Sequence, residues 1–150
     1  MCLFTDQDKA IHVKETITCF KIVRVYDHIK AKMFSVYFDY KYEMGKQFEV
    51  KAFLNESSDN QIRLGFHSYK HLSEAKRNAR CFMPIAKNSG FDVIIIKCEI
   101  PIDALYYTGY DSPDAYIGEE EKHKQYCSNS IKVVAWKKVN GTHWHTDNPV

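Results

Sequence analysis

The segment Phe91–Ile100 constrains the fold more than any other part of this sequence. It reads Phe-Asp-Val-Ile-Ile-Ile-Lys-Cys-Glu-Ile, and residues 93–96 are four consecutive β-branched residues. Such side chains favour strands, and an unbroken apolar run is typical of a strand that is covered on both faces. We therefore expect a central strand here, ending before Pro101.

Residues 62–69 are strand-like and lead into a helical pattern. Four further segments alternate apolar with polar or smaller side chains: residues 17–26, 33–42, 47–54 and 130–139. Alternation with a period of two residues is typical of a strand that lies with one face on a core. We expect residues 55–60 to form a polar loop. Residues 102–117, which carry four tyrosines, are expected to form a loop or an irregular strand.

Residues 73–86 have the period of an amphipathic helix. Ser73 is a suitable N-cap, and the carboxylate of Glu74 in the first turn meets the positive end of the helix. Pro84 is expected to end the helix or to kink its last turn. Apolar side chains recur at three- and four-residue steps along one stripe: Leu72, Ala75, Ala79, Phe82 and Ala86.

Length and composition complete the prediction of the fold. A chain of 150 residues, 45% hydrophobic and 14% aromatic, matches one globular domain over residues 1–150 with a polar tail from about residue 140. Long strand segments around one strong helical pattern predict an α+β fold. We expect a twisted, largely antiparallel sheet of about five or six strands, with the helix packed on one face.

Charge and targeting features argue against several classes of partner. The 21 lysine and arginine residues nearly balance the 19 aspartate and glutamate residues, so a net charge of +2 gives no general attraction to nucleic acid or to an anionic membrane. No apolar run approaches the roughly 20 residues that span a bilayer. The opening residues lack the basic flank and apolar core of a signal peptide, so we expect a cytoplasmic protein.

The five cysteines are odd in number and form no Cys-x-x-Cys pair, which favours reduced thiols over a disulfide framework or a zinc site. Cys19 and Cys98 lie in strand-like segments and are expected in the core. Cys127 follows His123 by four residues, so a nucleophile with a nearby base is conceivable from spacing. A surface thiol is the simpler interpretation of Cys127.

Two pairs of histidines have spacings that a metal site can use. His67 and His71 are four residues apart but lack a third ligand nearby. His143 and His145 lie on the same side of an extended segment, with Asp147 available as a third ligand. A mobile tail is the simpler interpretation of the second pair, and we predict no metal at either.

Several short motifs follow one another in the second half of the chain: Gly65-Phe66-His67-Ser68-Tyr69-Lys70, Leu72-Ser73-Glu74-Ala75-Lys76, Ile95-Ile96-Lys97-Cys98-Glu99-Ile100-Pro101, Tyr106-Tyr107-x-Gly109 and Tyr126-Cys127-Ser128. Together they resemble a small protein family found in bacteriophages and in gut bacteria of the Bacteroides type. The resemblance implies a cytoplasmic accessory protein of a phage or prophage.

The sequence contains no complete catalytic set, so we expect a protein that acts by binding a host protein or a small-molecule ligand. The predicted binding surface joins the first of these motifs to the tyrosine-rich segment: Phe66, His67, Tyr69, Lys70, Tyr106, Tyr107 and Tyr110. Amphipathic rings can anchor a partner or stack on a ligand. For any single tyrosine, a core ring with its hydroxyl at the surface is the simpler interpretation.

An enzyme is the alternative. An arginine on an early strand, a serine on a later strand and a late glutamate occur in this order: Arg24, Ser68 and one of Glu119, Glu120 and Glu121. In this order the chain is similar to ADP-ribosyltransferase folds, which implies NAD as cofactor, with the arginine on a phosphate and the glutamate stabilising a ribosyl cation. The usual Ser-Thr-Ser is absent. A sheet-edge arginine, a serine before a helix and a solvated acidic loop are the simpler interpretation.

Overall fold

The computed structural model describes residues 3–26, 32–36, 40–50, 61–111 and 124–149. Within these ranges the chain forms twelve strands and one helix. The strands are β1 (Leu3–Phe4), β2 (Ile11–His12), β3 (Ile17–Tyr26), β4 (Met33–Ser35), β5 (Lys41–Tyr42), β6 (Gln47–Glu49), β7 (Gln61–Ile62), β8 (Phe66–Tyr69), β9 (Phe91–Ile100), β10 (Leu105–Gly109), β11 (Gln125–Ser128) and β12 (Ser130–Lys138). The helix α1 (Leu72–Ser89) connects β8 to β9, and the fold is α+β, as predicted.

Ten of the described strands form one antiparallel sheet, and β1 and β7 form a separate two-stranded ribbon. Along the sheet the order is β2, β10, β11, β8, β3, β9, β12 and β6, while β4 pairs with β3 and β5 pairs with β4. The predicted number of five or six strands is too low. The strand β8 lies within the predicted strand-like residues 62–69. Most of the additional strands are only two to five residues long, which is too short for an alternation pattern to identify them.

The strand β9 lies in the middle of the sheet, as predicted. All ten of its residues pair with β3, from Tyr26 opposite Phe91 to Ile17 opposite Ile100, and its other edge pairs with β12. Ile95 and Ile96 are both fully buried, in different core clusters. The sheet is therefore covered on both faces at this point, which explains the unbroken apolar run.

The helix α1 packs on one face of the sheet through small side chains. Ala75, Ala79 and Ala86 are buried and share a core cluster with Ile22 and Ile95 of the sheet. The predicted apolar stripe is therefore the packing face. No helix in the described part of the chain is long and apolar enough to cross a membrane.

The ends of α1 differ from the prediction. The helix begins at Leu72, and the N-cap is His71, whose side chain makes no capping hydrogen bond, instead of Ser73. Pro84 lies inside the helix, which continues to Ser89 and ends where Gly90 adopts a left-handed conformation with φ of 71°. Proline has no backbone N–H to donate to the carbonyl oxygen one turn earlier in the helix. Because Pro84 is exposed, water can donate to that oxygen instead.

Two predicted strands are shorter in the structure, in part because the described ranges end inside them. Within residues 33–42 the chain forms β4 and β5, and residues 37–39 lie outside the described residues. Within residues 47–54 it forms β6, and residues 51–60, which include the predicted loop, also lie outside them. The tyrosine-rich segment contains β10, followed by residues 112–123, which are not described.

The β1–β7 ribbon covers β10 and β11 and encloses a third core cluster of Leu3, Ile62, Tyr107 and Cys127. Phe4 and Tyr110 exchange two backbone hydrogen bonds of 2.8 and 3.0 Å, which attach the ribbon to the end of β10. This close approach requires a glycine at position 109, because an added Cβ atom there would overlap the carbonyl oxygen of Phe4.

Gly109→Ala should therefore destabilise the protein. The overlapping atom belongs to the backbone, so β1 must move away, and we expect the free energy of unfolding to fall by about 1 to 3 kcal/mol. Amide hydrogen exchange should accelerate at Phe4 and Tyr110. Asp111→Ala, a change at an exposed neighbour, should alter the unfolding free energy by less than about 0.5 kcal/mol. Equal stability of the two variants would show that the ribbon does not depend on this contact.

Candidate functional site

A cleft opens where two strands share one edge of β3. At Phe20 this edge pairs with Tyr69 of β8, whereas from Val23 to Val25 it pairs with β4. Because β8 and β4 pair with different parts of β3, they leave a gap between them. The gap is a cleft of about 270 Å³.

Lys21 lies in the wall of this cleft and is only 8% exposed. It occupies the same face of β3 as Cys19 and Val23, which belong to the core on the side of the sheet opposite α1. Its Nζ donates a hydrogen bond to the backbone oxygen of His67 and lies 5.5 Å from the centre of the Tyr42 ring. Burial lowers the pKa of Lys21, because loss of water destabilises the ammonium form.

Aromatic rings form much of the rest of the cleft. Tyr40, Tyr42 and Phe66 line it, and the Tyr40 ring lies 5.1 Å from that of Tyr42 and 5.5 Å from that of Phe66. The pairs are tilted or edge-to-face, which are favourable arrangements for aromatic rings. Burial raises the pKa of Tyr42, so its hydroxyl stays protonated and can donate a hydrogen bond. The exposed side chain of Arg63 adds a positive charge to the lining.

His67 and Cys127 form a cross-strand pair between β8 and β11. The His67 Nε2 atom lies 3.6 Å from the Cys127 Sγ atom, which also donates to the backbone oxygen of Leu64 at 3.2 Å. Burial, with a smaller effect from Lys21, lowers the pKa of His67 to about 3. The imidazole is thus neutral and gives a thiolate no charge stabilisation. Cys127 is fully buried, so the prediction of a surface thiol is wrong.

The other cysteine predictions agree with the structure. Cys19 and Cys98 are fully buried and face each other as partners in the register of β3 and β9. Both are free thiols, as are Cys81 and Cys127. Burial raises the pKa of Cys19 to about 11, which keeps this thiol protonated and unreactive.

The seven residues of the predicted binding surface do not come together as one exposed surface. Four are buried and belong to different parts of the core: Phe66, His67, Tyr69 and Tyr107. Tyr106 and Tyr110 are half-buried, and Lys70 is exposed. Of the seven, Phe66 and His67 line the cleft beside Lys21. Binding through these two residues stays a prediction, now at a cleft instead of an open surface.

The residues of the enzyme alternative do not share a face of the sheet. Arg24 lies on the same face of β3 as Ile22, beneath α1, and its Nε donates to the Ser35 backbone oxygen at 3.0 Å. Ser68 lies on the opposite face, beside Cys19, and its Oγ atom has no hydrogen-bond partner among the described residues. Residues 119–121, the predicted glutamates, lie outside the described residues. The Arg24 and Ser68 side chains therefore do not line a common NAD pocket.

The polar tail packs on the sheet, so the prediction of a mobile tail is wrong. His145 exchanges two backbone hydrogen bonds with Trp136, and its ring stacks on the indole at 4.3 Å between centres. The Trp136 Nε1 atom donates to the Asp147 backbone oxygen at 2.7 Å, and the Trp144 ring stacks on Phe20. Among the described residues, no three histidine, cysteine, aspartate or glutamate side chains are grouped closely enough to hold a metal ion.

Comparison with known proteins found no relative. No protein-family model, no curated protein and no solved structure matches this chain. The resemblances to the phage family and to ADP-ribosyltransferases therefore stay predictions. The function has to be inferred from the cleft and its residues.

Proposed function

We propose that this protein binds a small organic ligand in the cleft between β4 and β8, through the side chain of Lys21. One observation carries the proposal. A lysine that is 8% exposed lines an aromatic cleft, with a backbone carbonyl and a ring face as its contacts. Among the described residues no carboxylate lies within ion-pair distance of it.

A buried lysine with no carboxylate partner lowers the stability of the folded protein. Removing an amine from water costs free energy whichever protonation state it adopts, and an apolar side chain of similar length would avoid that cost. Function commonly retains residues that a stable core would replace. An oxygen atom of a bound ligand would supply Lys21 with a second acceptor beside the backbone oxygen of His67.

The lining of the cleft indicates the class of ligand. Tyr40, Tyr42 and Phe66 offer ring faces and edges to a flat apolar body, and pockets for small molecules are typically apolar with a few polar groups. Arg63 adds a positive charge to this lining, and Lys21 adds N–H donors. A volume of about 270 Å³ suits a ligand of one ring. We expect a small aromatic or similarly flat acid.

Lys21→Met should weaken this binding and stabilise the protein. Benzoate titrated into the wild-type protein should bind more tightly than benzylamine or benzamide, measured by ligand-observed NMR. Lys21→Met removes a charge-assisted hydrogen bond, so benzoate binding should weaken about 10- to 100-fold. The free energy of unfolding should rise on the order of 1 to 2 kcal/mol, since a buried polar group is removed.

Lys70→Met is the matched control, because Lys70 is exposed and does not line the cleft. It should change neither binding nor stability. Wild-type protein that prefers benzylamine to benzoate, or a Lys21→Met variant that binds benzoate as well as wild type, would contradict the proposal. If wild type and Lys21→Met capture the same host protein equally well, the result would instead support the binding of a protein partner.

A further inference from the structure

We infer that Lys21 captures its ligand covalently, through an imine between its amine and an aldehyde or ketone group. The ligand class is then a small, flat carbonyl compound that also carries an acid group. This inference rests on the proposed ligand site, because the same cleft must first hold the ligand. It adds a chemical step that binding alone does not require.

The contacts of Lys21 suit a neutral amine better than an ammonium ion. An ammonium ion has three N–H donors and no lone pair, whereas an amine has two donors and one lone pair. The described surroundings of Nζ contain one backbone oxygen acceptor, that of His67, and one ring face, that of Tyr42. A neutral amine can satisfy that carbonyl and keep its lone pair for a ligand in the cleft. Burial, which lowers the pKa of Lys21, acts in the same direction.

The reaction balances without an oxidant or a reductant. The Nζ lone pair attacks the carbonyl carbon and forms a C–N bond, while the carbonyl π electrons pass to the oxygen, which takes up a proton. The carbinolamine oxygen takes up a second proton and leaves as water, while the nitrogen, which gives up both of its protons over the two steps, forms the C=N bond. The products are one imine and one water molecule, and hydrolysis reverses the reaction.

The exposed lysines and the Cys127 thiol are less suited to this step. The exposed lysines, such as Lys70 and Lys87, lie outside the cleft that would hold the ligand. The Cys127 thiol is buried beneath the β1–β7 ribbon and donates to the Leu64 backbone oxygen. Arg63 lines the same cleft as Lys21 and can attract an acid group at the other end of the ligand.

The test uses para-carboxybenzaldehyde as probe, with sodium cyanoborohydride at neutral pH to reduce any imine to a stable amine. Intact-mass spectrometry should show one adduct per chain, and peptide mapping of the wild-type protein should place it on Lys21. We expect at least tenfold more adduct on Lys21 than on Lys70. The mapping needs no variant, so a folding defect cannot obscure the result.

Two measurements on the wild-type protein separate the two proposals, because benzoate binding tests the ligand site and the mapped adduct tests the imine. Lys21→Arg, which cannot form an imine, should lose the adduct, and Lys70→Arg should retain it. If adducts form on exposed lysines but not on Lys21, while benzoate still binds, the imine inference is overturned. The proposed ligand site would then stand. An absence of both adduct and benzoate binding in the wild-type protein would overturn the ligand site as well.

Discussion

Replacing Ile95 with alanine should lower the free energy of unfolding by about 2 to 5 kcal/mol, the range for a large aliphatic side chain lost from a packed core. Ile95 is fully buried in the centre of β9, opposite Ile22 of β3 and Lys137 of β12. Its side chain belongs to the core cluster beneath α1, where small helix residues bring the backbone close to the sheet. Few neighbours are free to fill the cavity, so the loss should be large.

Ile102→Ala is the matched control, because it removes the same atoms from a side chain that is 56% exposed. It should cost less than about 0.5 kcal/mol. Both variants can be measured by urea denaturation with m-values compared to the wild type, so that a change of midpoint reports stability. A loss for Ile95→Ala no greater than that for Ile102→Ala would show that β9 does not lie in the centre of the sheet beneath the helix.

The long elements could be predicted from the sequence because each contains its own signal. The apolar run of β9 and the stripe of α1 extend over ten and eighteen residues, long enough for a period to appear. The four residues of β11 read Gln-Tyr-Cys-Ser and are all buried, although their composition is mostly polar. Their burial results from the β1–β7 ribbon and from pairing with β8, which no local pattern contains.

The cleft could be predicted only in part, because contacts between distant segments leave no local pattern in the sequence. A motif in the sequence points to Phe66 and His67 but not to Lys21. Lys21 nevertheless lies between Cys19 and Val23 on the buried face of β3, where a charged residue is unusual. A lysine at a buried position of the β3 pattern is the one local sequence feature that points to the cleft. The cleft itself depends on how β8 and β4 divide the edge of β3, and those strands are far apart in the sequence.

Acid should destabilise this protein through His67. Burial lowers the pKa of His67 from 6.5 to about 3 in the native state, whereas the unfolded chain keeps the ordinary value. Above pH 6.5 both states are neutral and the stability is fully present. As the pH falls from about 6.5 to about 3, the unfolded state binds a proton that the native state does not. Each pKa unit is worth about 1.4 kcal/mol, so this histidine should account for a loss on the order of 4 kcal/mol.

The prediction is tested by urea denaturation of wild type, His67→Gln and His71→Gln across this pH range. Glutamine does not titrate, so His67→Gln should lose less stability than wild type between neutral pH and acid, although it starts lower at neutral pH. His71 is exposed, and its variant should follow the wild-type profile. The carboxylates are common to all three proteins, so the difference between profiles isolates His67. Parallel profiles for wild type and His67→Gln would mean that the imidazole is accessible to protons in the native state. Because the His67 backbone oxygen accepts the hydrogen bond from Lys21, protonation that opens β8 should also release ligand from the cleft.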